Sequence, residues 1–412
     1  MSSVVERFLK YVVYDTKSDE EAGEVPSSPG QMELALEVER EMIDLGLTDI
    51  SVDKHAYVMG TLPANTEKKG IPSIGFIAHL DTSSEISGAT RPRIVENYDG
   101  GDILLNREEN VVLSPDRFPE LAGYKGQDII VTDGIALLGA DDKAGMAIIM
   151  AAAEHLTRHP EIKHGPVKIC FTPDEEIGHQ AKFLDLEKFG ADFAYTIDGG
   201  PLGDLNYETF NAAKAEIVIR GKNIHPGRAK NKMVNSILVG NELASMLPKD
   251  ERPERTEKRE GFYHIISFRG NVERTEMAYI IRDHDSALFA KRKETMSGIV
   301  SQLKARYGKD TLELKMEDQY YNMADRLKDH MHIVDTAVKA MKELGIEPDI
   351  APIRGGTDGS SLSQRGLPTP NLFTGGNNFH GRFEYIPIPS LEKGTEVVAK
   401  IAEIYGRGGD AE

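Results

Sequence analysis

The 412-residue chain predicts an α/β protein whose sheet and crossover helices are interrupted by a smaller, self-contained α+β unit. Three observations carry that prediction. Short apolar runs alternate with helical patterns through the first half, the order expected of a sheet with crossover connections. From about Asn211 the order changes to β-α-β-β-α-β, the split ferredoxin-like unit. After residue 320 the earlier style returns. Insertion between two halves of a larger domain is the simplest account, with boundaries at 1–210, 211–319 and 320–412. The length agrees, since a chain of this size exceeds one ordinary core.

Taken in order, residues 4–14 and 31–45 carry apolar side chains at i, i+3, i+4 spacing and predict two helices, the second stopped by Gly46. ISVDKHAYVMGTLP reads as a strand pair and IPSIGFIAHL as a short β-rich run. Residues 85–124, rich in Arg, Asn, Asp and Pro, read as a hairpin insertion outside the main sheet. Residues 142–157 form a helix whose Gly145, Ala147, Ala151, Ala152 and Ala153 allow close packing on the sheet. VKICF and FAYTI follow as apolar runs with a helix between them. In the inserted unit, strands at 212–222, 261–269, 274–282 and 311–316 alternate with helices at 233–246 and 287–307. Gly270-Asn271 supplies the hairpin turn between the middle strands. The last part holds a helix at 330–344, the loop IRGGTDGSS, an apolar PNLF and a final helix at 391–405.

A net charge of −18 argues against nucleic acid, which needs a basic footprint, and against anionic membrane surfaces. The single cysteine, Cys170, rules out an intrachain disulfide and suits a reducing compartment. Its place inside VKICF predicts a buried, inert thiol. The N-terminal residues interleave charge with apolar side chains and have no uninterrupted apolar core, unlike a signal peptide. The longest apolar stretch, residues 144–153, is about half of a bilayer span. A cytoplasmic protein is the expectation.

Five residues with an affinity for divalent metals close short apolar runs: His79, Asp141, Glu176, Asp198 and His380. Strand ends opening into Gly-rich loops are where open α/β sheets place ligands. Two imidazoles and three carboxylates are too few for two separate four-coordinate sites. They suffice for two metals if one carboxylate bridges and water completes each shell. Asp141, flanked by small residues in GADDKAG, is the candidate bridge. Asp81, two residues after His79 on an extended segment, points the same way and can reach the imidazole, fixing its tautomer. Glu175 and Glu176 project differently from one turn, so one can bind metal while the other stays free as a general base. Spacing alone leaves open which does which. Each of these residues also has a bland reading, as helix cap, core histidine or solvated acidic turn.

Read together, AHLDT, LLGADDKAG, TPDEEIG, IDGG, HPG, RGGTDGS and FHG occur in the order seen in the di-zinc aminopeptidase, carboxypeptidase and aminoacylase family, which the chain resembles from FLKYVVYDT to its last helix. The extended forms LLGADDKAG and IRGGTDGSSLS resemble one branch of that family, the one acting on tripeptides. The resemblance implies an α/β metallopeptidase core with a mixed central sheet flanked by helices, the ferredoxin-like insertion being the lid domain. It implies two Zn2+ per chain: His79, Asp141 and Asp198 would hold one, and Asp141, Glu176 and His380 the other. Glu175 would be the general base and Asp81 a second catalytic carboxylate. His225, in IHPGRA, would help to stabilise the oxyanion, in its own subunit or a neighbour's.

The activity implied is removal of the N-terminal residue from tripeptides, with small peptides as partners and room for a homodimer through the lid. Arg282, at the end of a strand, could receive a substrate carboxylate through a bidentate contact, and Arg354 could do likewise. A dipeptidase or an N-acyl amino-acid deacylase would share every metal ligand and differ in the pocket. A metal- or peptide-binding protein without catalysis would have no need of a free Glu175.

Overall fold

The apolar run that ends in His79 is buried at every position, as a strand covered on both faces must be. This strand, Ile74–His79, lies inside an eight-stranded sheet ordered Thr48–Val52, Val58–Leu62, Val167–Thr172, Ile74–His79, Phe193–Gly199, Asn371–Phe373, Asp204–Asn206 and Asp349–Ile350. The four strands from Val167–Thr172 to Asn371–Phe373 run parallel, and the strands next to them on both sides, Val58–Leu62 and Asp204–Asn206, join antiparallel. The sheet is therefore mixed, as the family resemblance implies. The computed structural model describes residues 2–408 apart from 87, 89 and 179–182.

Helix Ala140–Arg158 is buried along most of its length and packs on the Ile74–His79 and Phe193–Gly199 strands. Gly145 makes that approach feasible, because a Cβ there would stand 2.0 Å from the backbone oxygen of Ile197. Helices Ser3–Tyr11 and Ile388–Gly406 pack in turn against this helix. No helix among the described residues is long and apolar enough to cross a membrane.

The chain divides into two compact units, one of residues 1–207, 326–351 and 357–412, the other of residues 208–325 and 352–356. In the second unit the sheet order is Phe262–Gly270, Arg274–Asp283, Asn211–Arg220 and Leu312–Tyr320, antiparallel throughout. Its middle hairpin turns at Asn271, whose side-chain oxygen accepts the N–H groups of Glu273 and Arg274 at 2.9 and 3.1 Å. Helices Ser236–Met246 and Ser286–Tyr307 cover one face. Alternate residues of the strands, Ile217, Met277, Tyr279 and Ile281 among them, build the core beneath.

Three local readings need correction. The IRGGTDGSS segment is not all loop: Asp358–Gln364 is a helix, started by a capping box between Thr357 and Ser360 that outweighs the glycines around it. Within residues 85–124, Ile103–Asn106 and Val111–Leu113 form the expected hairpin. Arg93–Val95, however, joins a separate sheet with Ile129–Val131 and Tyr385–Pro387. Tyr98, Leu113, Leu121 and Tyr385 give this region its own small core, which an excess of polar residues conceals. The strands at Asp204–Asn206 and Asp349–Ile350 are two or three residues long, too short for a period to register.

Candidate metal centre

The C-terminal ends of the parallel strands and the turns that follow bring four side chains together, and the start of helix Ala140–Arg158 adds a fifth. His79 ends its strand, Asp198 lies near the end of Phe193–Gly199, and Glu176 sits in the turn after Val167–Thr172. His380 occupies a left-handed position (φ 60°) in the loop after Asn371–Phe373. Asp141 follows Gly139, whose positive φ of 75° bends the chain into the helix. Asp141 itself is extended rather than helical (φ −86°, ψ 105°), so its carboxylate is turned out of the helix start.

Asp141 divides its oxygens between two imidazoles. Its Oδ1 lies 3.0 Å from His79 Nε2 and its Oδ2 3.1 Å from His380 Nε2. His79 Nε2 is also 3.5 Å from Asp198, and His380 Nε2 is 3.0 Å from Glu176. Two groups of three potential ligands result, His79–Asp141–Asp198 and Asp141–Glu176–His380, each with donor atoms within 4.8 Å of one another. The shared member is Asp141.

The electrostatics of this cluster call for added positive charge. Burial, then the nearby Asp141 charge, pushes Asp198 up to about 7. Glu176 is also raised to about 7, chiefly by burial. Hydrogen bonds to Asp141 and Glu176 carry His380 up to about 11. Burial alone would lower His79, yet its carboxylate neighbours raise it. Burial would raise Asp141 too, yet hydrogen bonds to His380 and His79 hold it well below the ordinary carboxylate range, so imidazolium charge stands where cations could. Nitrogen and oxygen donors in this number fit two divalent ions of the zinc type.

The surrounding residues aim the cluster. His79 Nδ1 lies 3.1 Å from the backbone oxygen of Asp81 and 3.3 Å from its Oδ1. The two Asp81 oxygens also accept the backbone N–H groups of Glu175 and Glu176 at 3.0 and 3.1 Å. Asp81 thus ties the His79 strand to the Glu175 turn, a second task that the i, i+2 spacing does not reveal. Burial and the Asp358 charge raise the Glu175 carboxyl well above the ordinary range.

Two further carboxylates escape a reading of the sequence. Asp142 accepts the His79 backbone N–H at 3.1 Å and the Gly145 N–H at 3.2 Å. Glu384 accepts the N–H groups of Gly139 and Asp141 at 2.9 and 3.2 Å, bracing the bend that presents Asp141. The signal for Glu384 was its position at the head of the apolar EYIP run, where a solvated glutamate is out of place.

His225, Arg282 and Arg354 belong to the second unit and not to this cluster. His225 is on an exposed turn, its Nδ1 accepting the Gly227 N–H at 3.2 Å. Arg282 is half-buried, with Nη1 3.3 Å from the Arg354 backbone oxygen and a buried Nε that has no hydrogen-bond partner. Arg354 has hydrogen-bond partners within its own unit. It donates to the oxygens of Lys258 and Glu260 at 2.7 and 3.0 Å and to Thr256 Oγ1 at 2.8 Å. It also lies 5.2 and 5.6 Å from the Phe210 and Phe262 ring centres. Three acceptors and two rings tie it to residues 256–260 and to Phe210 and Phe262.

The sequence profile of the peptidase family M20/M25/M40 matches residues 131–404. The chain belongs to that family. It is 59% identical to peptidase T of Clostridium novyi (strain NT) over 99% of this chain and 100% of the relative. It is 57% identical to peptidase T of Caldanaerobacter subterraneus subsp. tengcongensis, again over 99% and 100%. Among solved structures, the aminopeptidase PepT from Bacillus cereus ATCC 10987 superposes with a TM-score of 0.79 at 24% identity, covering 98% of each chain. As a member of the M20/M25/M40 family the chain is a peptidase, and it carries two groups of residues that could hold metal ions.

Proposed function

We propose that this chain is a zinc-dependent aminopeptidase that removes the N-terminal residue from tripeptides in the cytoplasm. The observation that carries the reaction class is the division of Asp141 between His79 and His380. The substrate class rests on kinship with the peptidases T. His79, Asp141 and Asp198 would hold one zinc, and Asp141, Glu176 and His380 the other. When bound, the two ions supply Lewis acidity toward the scissile carbonyl and the attacking water.

The remaining work falls to the chain's own groups. Glu175 takes the proton of the attacking water on a carboxylate oxygen and returns it to the leaving amine. Burial, then the Asp358 charge, raises its pKa, the direction in which a carboxylate becomes the stronger proton acceptor. Asp81 holds the Glu175 and Glu176 amides and orients His79, so base and ligand keep one register. His225 donates to the developing oxyanion, where preorganised charge contributes most. Arg282 pairs with the terminal carboxylate of the substrate, a role for which its buried, unpartnered Nε leaves capacity.

Turnover of di-, tri- and tetrapeptides with free or blocked termini, with and without chelator, tests the proposal. Chelator-sensitive cleavage of tripeptides with a free amino terminus is the expected result. Preference for dipeptides or N-acyl amino acids would assign another substrate to the same centre. Binding without turnover would leave a non-catalytic metal protein.

A further inference from the structure

The turn that carries Glu175 presents three consecutive backbone N–H groups, and each meets a side-chain acceptor. Those of Glu175 and Glu176 donate to Asp81, and that of Asp174 donates to Gln31 Oε1 at 3.1 Å. Gln31 returns the contact, its Nε2 donating to Asp174 Oδ1 at 2.7 Å. The Ser27 hydroxyl donates to the same Oδ1, and the Ser27 backbone N–H reaches Oδ2 at 2.9 Å. Gln31 and Asp174 are both fully buried. Asp174 has a positive φ of 54°, so the chain reverses at this residue, immediately before Glu175.

The same N-terminal segment also holds the backbone beside Asp81. The Thr82 N–H donates to the Thr16 oxygen at 3.2 Å, and the Ser18 N–H donates to the Thr82 oxygen at 3.0 Å, one residue beyond Asp81. The segment closes on itself between these grips, for a Cβ at Gly30 would stand 1.8 Å from the Asp15 backbone oxygen. Residues 16–31 therefore brace both Asp81 and the Glu175 turn.

We infer that Gln31, through its two-way bond with Asp174, is a positioning residue for hydrolysis that fixes the direction in which Glu175 projects; this rests on the general-base reading of Glu175. A general base must sit within hydrogen-bond reach of the proton it takes, and a misplacement of about 1 Å can cost roughly a hundredfold in rate. The competing role is structural: the Asp174 carboxylate also faces the start of helix Pro29–Asp44, where negative charge is favourable.

The test uses the metal-loaded enzyme with Gln31→Met, which keeps the side chain's length and removes the amide, in the wild-type and Glu175→Ala backgrounds. Tripeptide kinetics, metal content and melting temperature are read for each protein. The inference expects kcat to fall roughly ten- to hundredfold with KM held within a factor of about three and metal content unchanged. It also expects no further fall in residual kcat when Gln31→Met is added to Glu175→Ala. Losses that multiply in the double variant, or a change confined to KM or to melting temperature, overturn it. If Gln31→Met does not fold, Asp174→Asn takes its place under the same readings. Glu175→Ala at full activity would instead remove the general-base reading itself, and the single variants keep the two failures apart.

Discussion

Asp141, His79 and His380 stood out in the sequence because each follows a short apolar run. Asp142 did not, and Glu384 shows only as a charge at the head of an apolar run, since their work is to accept backbone N–H groups from residues 63 and 245 positions away. The arginines show the same limit: Arg282 and Arg354 look alike in sequence, yet Arg354 spends its donors on Thr256, Lys258 and Glu260. Arg282→Ala is therefore predicted to lower tripeptide turnover by ten- to a hundredfold, taking ~1.5–3 kcal/mol for a charge-assisted contact. The loss should largely vanish with a tripeptide amide, which offers no carboxylate; equal losses on acid and amide would leave Arg282 structural. Cys170 yields a second prediction at this scale. Its side chain is fully buried, and burial pushes the thiol well above its ordinary range. Thiol reagents should label no cysteine in the native protein and one per chain after denaturation, and rapid native labelling would contradict the packing.

At the scale of elements, strong periods were legible and weak ones were not. Helices Ser3–Tyr11, Ser286–Tyr307 and Ile388–Gly406 and the four strands of the second unit follow their hydrophobic spacing to within a few residues. The Asp358–Gln364 helix was hidden because Gly355, Gly356 and Gly359 read as loop, whereas the Thr357–Ser360 box starts a helix regardless. Helix Ala140–Arg158 links packing to chemistry, since it bears Asp141 and lies on the strand that bears Asp198. A methyl group at Gly145 would collide with the Ile197 oxygen and the Asp142 carboxylate, at 2.0 and 2.4 Å. Gly145→Ala is predicted to cost about 1–3 kcal/mol by overpacking and to weaken metal retention together with it. Denaturant unfolding and metal analysis of the same preparation would check both, and a variant as stable and as metal-rich as wild type would refute the tight approach.

For the whole molecule, the question is whether metal builds the fold or is held by it. The first unit buries long helices and strands of an eight-stranded sheet, a core far larger than that of a small zinc-dependent domain. Chelation is therefore predicted to abolish turnover while far-UV circular dichroism stays close to that of the loaded protein; a cooperative loss of secondary structure would contradict this. The central claim is that one carboxylate serves two metal positions, and metal stoichiometry tests it most directly. Wild-type protein, His79→Ala and Asp141→Ala would be loaded with zinc, freed of excess, and analysed for zinc per chain. The account predicts two zincs for wild type, loss chiefly of one for His79→Ala, and loss of both for Asp141→Ala. Two zincs retained in Asp141→Ala, or only one in wild type, would contradict it.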